Sequence, residues 1–218
     1  MTNLKPVIAI LGASGHGKVV ADLAEQLGYE VSFYDDAYPT KTQLEHWDIV
    51  GTFNDLLACK VENVEVIVAI GNNVVRKQKC NELKQFGFDL ARLIHPSATV
   101  SQYAKVAEGT VVLTGAVINA FAEIGHGCII NTSAVIEHDT KIGKYSHICP
   151  NTALAGAVTI GECCWIGIGS HVIQLISVGD YTFVGAGSVV VKNLPANVTA
   201  FGSPAVVVKS DKIVNDRS

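Results

Sequence analysis

Two unlike halves predict the fold class: a small α/β domain with a parallel sheet, then a parallel β-helix. Strand-like and helix-like apolar runs alternate through residue 93. From Ile94 an aliphatic residue recurs at every sixth position. No apolar run approaches the ~20 residues of a membrane-spanning helix. The expected domains are 1–93, 94–194 and a C-terminal tail, 195–218.

The first domain is read in order. Residues 6–11 (PVIAIL) are apolar and predict a buried strand, followed by Gly12-Ala13-Ser14-Gly15-His16-Gly17. Val19, Val20, Leu23, Ala24 and Leu27 have helical spacing over 18–27, and Gly28 is a helix stop. A second strand is predicted over 29–34, ending at Asp35-Asp36. Residues 39–48 read as loop and 53–59 as a short helix. A third strand over 64–70 ends in Gly71-Asn72-Asn73, and a helix over 74–86 is closed by Gly87. This alternation predicts parallel strands joined by helices.

The second half divides into 17 gapless hexads, from IHPSAT at Ile94 to the hexad opened by Val190, each beginning with Ile, Leu or Val. Period six is neither helical nor simply alternating. It suits a coil with three short faces and 18 residues per turn. Ile94, Val112, Ile130, Ile148, Ile166 and Val184 then stack in one interior column, with turns about 4.8 Å apart. The fifth place is small (Ala98, Ala116, Cys128, Ser146), which fits tight corners. Gly125, Gly143, Gly161, Gly167, Gly179 and Gly185 take the second place, where glycine is expected to supply corner dihedrals. Residues 195–209 form an apolar tail, and 210–218 are polar and expected to fray.

Composition narrows the function classes. Only 17% of the 218 residues are charged against 49% hydrophobic, which leaves little charge to cover a lone monomer and implies subunit contacts. The net charge of −4 argues against a nucleic-acid binder. The run 7–11 is too short for a signal peptide and leads into glycines, so a cytoplasmic protein without membrane insertion is expected. The six cysteines show no C-x-x-C spacing and read as free thiols.

Three groups of residues could carry chemistry. A strand, a glycine turn and a helix start place free N–H groups where a phosphate can sit. The G-x-x-G-x-G loop alone fits a tight turn or a ligand site equally well. Its order disfavours NAD, whose fingerprint is G-x-G-x-x-G. With Asp35, Asp36, Gly71 and Asn72 at neighbouring strand ends, the combination points to a nucleotide. Second, Glu137-His138-Asp139 sets a histidine beside a carboxylate, off the aliphatic column. This fits a surface histidine in a polar corner, or a general base held in one tautomer. Third, His126, His138, His147 and His171 lie 12, 9 and 24 residues apart, so none stack 18 apart and no metal is expected.

The motifs GASGHGKVV (12–20), YDD (34–36), VAIGNN (68–73), RLIHPSA (92–98), INTSAVIEHD (130–139), IGKYSHICPNTALAG (142–156) and FGSPA (201–205) follow one another along the chain. On these the chain resembles the NeuD/PglD-like bacterial sugar acetyltransferases of the hexapeptide-repeat superfamily, over nearly all of 6–209. The resemblance implies a left-handed coil, an N-terminal domain for the uridine diphosphate of a UDP-amino-sugar, and acetyl-CoA bound between subunits of a homotrimer. It implies His138 as base, oriented by Asp139. Ser14, Gly15, His16 and Gly17, beside Gly12, would touch the diphosphate or sugar, and Asp35 and Asp36 would face the nucleoside. Asn131, His147, Gly156, Ile168, Gly185 and Ala186 would line the acetyl-CoA site. Ala186 departs from the pattern, since relatives can carry Gly there.

The implied reaction is direct transfer of acetyl from acetyl-CoA to the amine of a UDP-4-amino-4,6-dideoxy sugar, a bacillosamine-type precursor. O-acetylation of a sialic acid or related sugar, a non-catalytic trimeric scaffold and a metal-dependent hydratase are the alternatives. Cys149 and Cys163 lack any neighbouring base in the sequence, so no acyl-enzyme is expected.

Overall fold

The computed structural model describes residues 6–59 and 64–210. The expected frayed end falls, beyond residue 210, outside the described residues. The chain divides into two compact units, one running to Pro96 and the other beginning at Ser97.

The first unit contains β1 (Val7–Leu11), α1 (Gly15–Gln26), β2 (Glu30–Tyr34), β3 (Gln43–Leu44), β4 (Trp47–Gly51), α2 (Phe53–Ala58), β5 (Glu65–Val68) and α3 (Asn73–Gln85). The sheet order is β3-β4-β2-β1-β5, with β1 parallel to both β2 and β5. The strand order therefore reverses direction at β1, and the crevice at its carboxyl end is where open α/β sheets take ligands. Ile8, Ile10, Phe33, Val66 and Ile67 are fully buried and form the sheet's core.

Two expectations are corrected. Residues 39–48 are not all loop: β3 and β4 make a hairpin with paired residues Gln43–Asp48 and Leu44–Trp47. Its turn uses Glu45 at φ 54°, a residue that does not announce a turn as Asn-Gly would. Also, α1 starts at Gly15 rather than Lys18, with Ser14 as N-cap. Gly17 is helical and tightly packed, since a Cβ there would lie 2.4 Å from the Gly12 carbonyl oxygen. His16 thereby joins the first helical turn. Its burial, and the nearby Arg76 guanidinium, lower its pKa from 6.5 to about 4.

The second unit is the left-handed β-helix. Two-residue strands recur every six residues, from Thr99–Val100 to Val189–Val190. Those up to His171–Val172 each pair in parallel with the strand 18 residues on, as in Val111–Val112 with Ile129–Ile130 and then His147–Ile148. In the expected interior column Val112, Ile130, Ile148, Ile166 and Val184 are fully buried, whereas Ile94 is only half-buried. Burying each such side chain stabilises the fold by about 1.5–3 kcal/mol. The small fifth-place residues do more than fill corners. Ser146 Oγ donates to the Gly161 carbonyl at 2.7 Å, and Thr152 Oγ1 donates to the Gly167 carbonyl at 3.1 Å, so buried hydroxyls tie one turn to the next.

The corner dihedrals lie elsewhere than expected. The left-handed backbone region falls on the fourth place of the hexads, at Phe121, Ser133, Asp139, Tyr145, Ala157 and Leu175 among others. The second-place glycines are needed for closeness instead. A Cβ on Gly143 would lie 2.4 Å from the Gly161 carbonyl carbon in the next turn. The apolar tail continues the coil, as Val198–Gly202 pairs in parallel with Phe183–Val184 and then antiparallel with Ala205–Ser210.

Gly143→Ala should lower stability by about 1–3 kcal/mol, because backbone must shift to admit the methyl group. Thermal denaturation tests this, and an unchanged melting temperature would contradict the close stacking. A second test concerns His16. Folding lowers its pKa, so the unfolded chain binds more protons between about pH 4 and 6.5. Its contribution to stability is complete above about pH 6.5 and is lost as pH falls toward about 4. His16→Gln should flatten that part of the stability–pH curve relative to the parent protein.

Candidate active site

In the first unit, three strand ends converge on a cavity of about 290 Å³ lined by Leu11, Gly12, Ser14, Asp35, Asp36, Ile70, Gly71 and Lys79. The glycine loop is held from several sides. Gly12 N–H donates to the Tyr34 carbonyl at 2.9 Å, and Ala13 N–H donates to Asp35 Oδ2 at 2.7 Å. Lys41 Nζ donates to the Ala13 carbonyl at 2.7 Å. Asp35 Oδ1 also accepts from Ala37 N–H at 2.9 Å, so this carboxylate shapes the loop as well as lining the cavity. Asp36 Oδ1 accepts from Phe53 N–H at 3.1 Å.

The remaining sequence-selected residues of this unit, Gly15, His16, Gly17 and Asn72, are not among those that line the cavity. Gly15, His16 and Gly17 form the first turn of α1. Asn72 caps α3, its side-chain oxygen accepting from Val74 N–H at 3.0 Å and Val75 N–H at 3.1 Å. Sequence reasoning missed Arg76, Lys79 and Lys41. Arg76 is buried and donates to the carbonyls of Ile70 and Gly71 and to Asn73 Oδ1. Its signal was available: a lone arginine where a helix should turn an apolar face to the sheet.

In the β-helix, His138 and Asp139 stand on an exposed corner. His138 Nδ1 lies 2.8 Å from Asp139 Oδ2. Adjacent side chains in extended backbone point apart. The left-handed φ of 60° at Asp139 breaks that alternation and lets the two meet. Nδ1–H donating to the carboxylate leaves the Nε2 lone pair facing outward, the tautomer a general base requires. The next turn places Gly156 against the ring: a Cβ there would stand 2.6 Å from Nε2 and 2.7 Å from Cε1. Glycine leaves that approach open. The preceding Glu137 accepts from Asn119 Nδ2 at 2.9 Å and serves as a rung between turns.

Asn131 and His147 come together, Nδ2 to Nε2 at 2.9 Å, and His147 packs edge-on to Trp165 at 4.5 Å between ring centroids. Ile168 is exposed, and Ile168, Gly185 and Ala186 share one corner, where Gly187 N–H donates to the Ile168 carbonyl at 2.8 Å. Within a single chain this corner does not meet His138. The two flank opposite edges of the face carrying Val117, Val135 and Ala153. The other histidines are dispersed. His126 Nδ1 is 3.6 Å from Glu108 Oε1, and His171 is exposed on a different face from His147. Burial pushes the Cys149 thiol up to about 12, so it is not a thiolate at neutral pH.

Residues 7–83 match the PglD N-terminal domain, and residues 121–156 match the bacterial transferase hexapeptide, six repeats. The chain is similar to the acetyltransferase domain of PglB from Neisseria gonorrhoeae, solved with acetyl coenzyme A. Identity is 38%, the TM-score is 0.90, and 94% of this chain and 100% of that chain are covered. It is also similar to PerB from Caulobacter crescentus, solved with CoA and GDP-perosamine. There identity is 37%, the TM-score is 0.88, and 93% and 97% are covered. A curated relative, UDP-N-acetylbacillosamine N-acetyltransferase of Bacillus subtilis, is 41% identical over 110 residues; the match spans 49% of this chain and 50% of that protein. The glycine-loop cavity, the histidine corner and these likenesses, two of them across almost the whole chain, agree: the chain belongs to the hexapeptide-repeat acetyltransferases that carry a PglD-type N-terminal domain.

Proposed function

We propose that the protein transfers the acetyl group of acetyl-CoA to the amine of a nucleotide-activated amino sugar, a UDP-4-amino-4,6-dideoxy sugar being the substrate. The observation that carries this reading is the His138–Asp139 pair with Gly156 against its outer nitrogen. The free amine attacks the thioester carbonyl, and Nε2 of His138 takes the proton that the nitrogen sheds as the tetrahedral intermediate forms. The Asp139 carboxylate stabilises the imidazolium that results. The Gly156 backbone N–H stabilises the oxyanion, and the thiolate of CoA then departs as the amide forms. Holding amine and thioester together supplies much of the rate. The Bacillus subtilis relative and the perosamine enzyme of Caulobacter crescentus are both named N-acetyltransferases, which favours N- over O-acetylation.

Acetyl-CoA lies against Asn131, His147, Ile168, Gly185 and Ala186, with the acceptor's nucleotide in the first unit's cavity. In one chain the His138 corner and the Ile168–Ala186 corner are a full face apart. The intervening outward ladder is apolar at Val117, Val135 and Ala153. Of the other two outward ladders, Lys105, Glu123, Lys141 and Thr159 are exposed and polar, while Val111, Ile129, His147, Trp165 and Phe183 are apolar or aromatic but do not lie between the two corners. The protein therefore works as a homotrimer in which one copy's His138 corner faces a neighbour's acetyl-CoA corner.

A thiol-release assay with acetyl-CoA and UDP-4-amino-4,6-dideoxy-N-acetylglucosamine tests the reaction, with GDP-perosamine as the competing acceptor. His138→Ala should lower kcat by at least about 100-fold, the usual worth of a general base. Gly156→Ala should lower it by about tenfold or more while the protein stays folded, because the methyl displaces the imidazole. Activity that survives His138→Ala would remove the base assignment. Turnover of only the GDP-sugar would replace the nucleotide. Val135→Glu should shift the mass in light scattering from trimer to monomer and abolish turnover; an unchanged trimer would move the contact to another face.

A further inference from the structure

The cavity of the first unit poses an electrostatic problem. Its lining includes two carboxylates, Asp35 and Asp36, and the proposed ligand is itself a dianion or more. Carboxylates suit ribose hydroxyls and base N–H groups, but they repel a diphosphate. The lining residues include one cation, Lys79, which sits on α3 one helical turn beyond Arg76.

Lys79 is pre-placed. Its ammonium lies 3.7 Å from the centroid of the Phe53 ring. Glu82 Oε2 is 3.8 Å away, so the ion pair is a loose one and leaves the ammonium available to a ligand. Phe53 also donates its N–H to Asp36, so one residue fixes both the acid and the cation. Behind them Arg76 ties down the Ile70 and Gly71 carbonyls at 2.8 and 3.1 Å. Those oxygens would otherwise be free to turn toward incoming phosphates. Gly12 packs directly on the same strand end, where a Cβ would come within 3.0 Å of the Ala69 carbonyl oxygen.

We infer that Lys79 makes this cavity select a nucleoside diphosphate over the bare nucleoside, its ammonium acting as the counter-charge to the ligand's phosphates. The inference rests on the reading of this cavity as the nucleotide-sugar site. Lys79 is a binding residue, and Arg76 a positioning residue that holds the loop around it.

Isothermal titration of the full chain with UDP, uridine, GDP and guanosine tests this. The parent protein should bind one diphosphate at least about tenfold more tightly than its nucleoside. Lys79→Met and Lys79→Gln should weaken that diphosphate by about tenfold or more, leave the nucleoside within about twofold, and flatten the salt dependence of binding. Lys79→Arg should recover most of the loss. Circular dichroism and thermal melts establish that each variant is folded. Undiminished diphosphate binding in both neutral variants would overturn the inference. So would an equal loss of diphosphate and nucleoside, which is the mark of a merely structural lysine. If the parent protein binds neither UDP nor GDP, the nucleotide reading itself falls and Lys79 with it.

Discussion

The 18-residue register of the coil constrains everything else in the second unit. Between its ends each two-residue strand pairs with its counterpart one turn above and below, and the interior is lined by buried aliphatic side chains in register. Parallel ladders have evenly spaced hydrogen bonds and no preferred end, so they fix direction but not position. Position comes from the alternation of buried and exposed residues, because a slip by one residue would send every core side chain outward. Corner hydroxyls and thiols reinforce the choice. Ser146 donates to the Gly161 carbonyl and accepts from Cys164 N–H, and Cys164 Sγ contacts the Gly179 carbonyl at 3.1 Å.

That rigidity is what fixes the His138 corner. The fourth place of each hexad already adopts the left-handed conformation to turn the chain. At most hexads this carries no chemistry. At Asp139 it brings consecutive polar side chains together, and the adjoining turn offers Gly156 where any other residue would press on the imidazole. Non-glycine residues in that backbone region cost on the order of 1 kcal/mol each. The column of buried aliphatic residues offsets this many times over. The site is thus built from a feature the architecture needs in any case, with three residues changed.

The first unit works by a different logic. Its crevice arises from strand order, with β1 between β2 and β5 and the glycine loop at the carboxyl end of β1. Side chains then give the crevice its charge. Asp35 spends both oxygens on backbone N–H groups, and Arg76 is buried under the β5 end. A buried guanidinium costs several kcal/mol in desolvation unless its donors are met, and here carbonyl oxygens meet them. Burial, and after it the nearby Arg76 charge, keep His16 neutral across the neutral pH range.

The period-six pattern alone determined the coil, its column of stacked residues and the surface placement of His138, because a repeat imposes the same local geometry at every turn. The strand-and-helix alternation determined the first unit's core for a similar reason: apolar spacing reports directly on which face is buried. The short hairpin of β3 and β4 was hidden, since its turn has no glycine and its strands are too short for alternation to register. Arg76 and Lys79 were hidden as cavity residues because they follow the glycine loop by some 60 positions and meet it only when β5 pairs with β1. The second-place glycines were visible as a pattern, but their purpose was not. Only stacked turns reveal that Gly143 is excluded from bearing a side chain by the backbone of Gly161. Likewise the motif pointed to His138 and Asp139, and the family resemblance added Gly156. The tertiary structure alone decided that Gly156 lies against the outer nitrogen of the imidazole, because that contact joins residues one full turn of the coil apart.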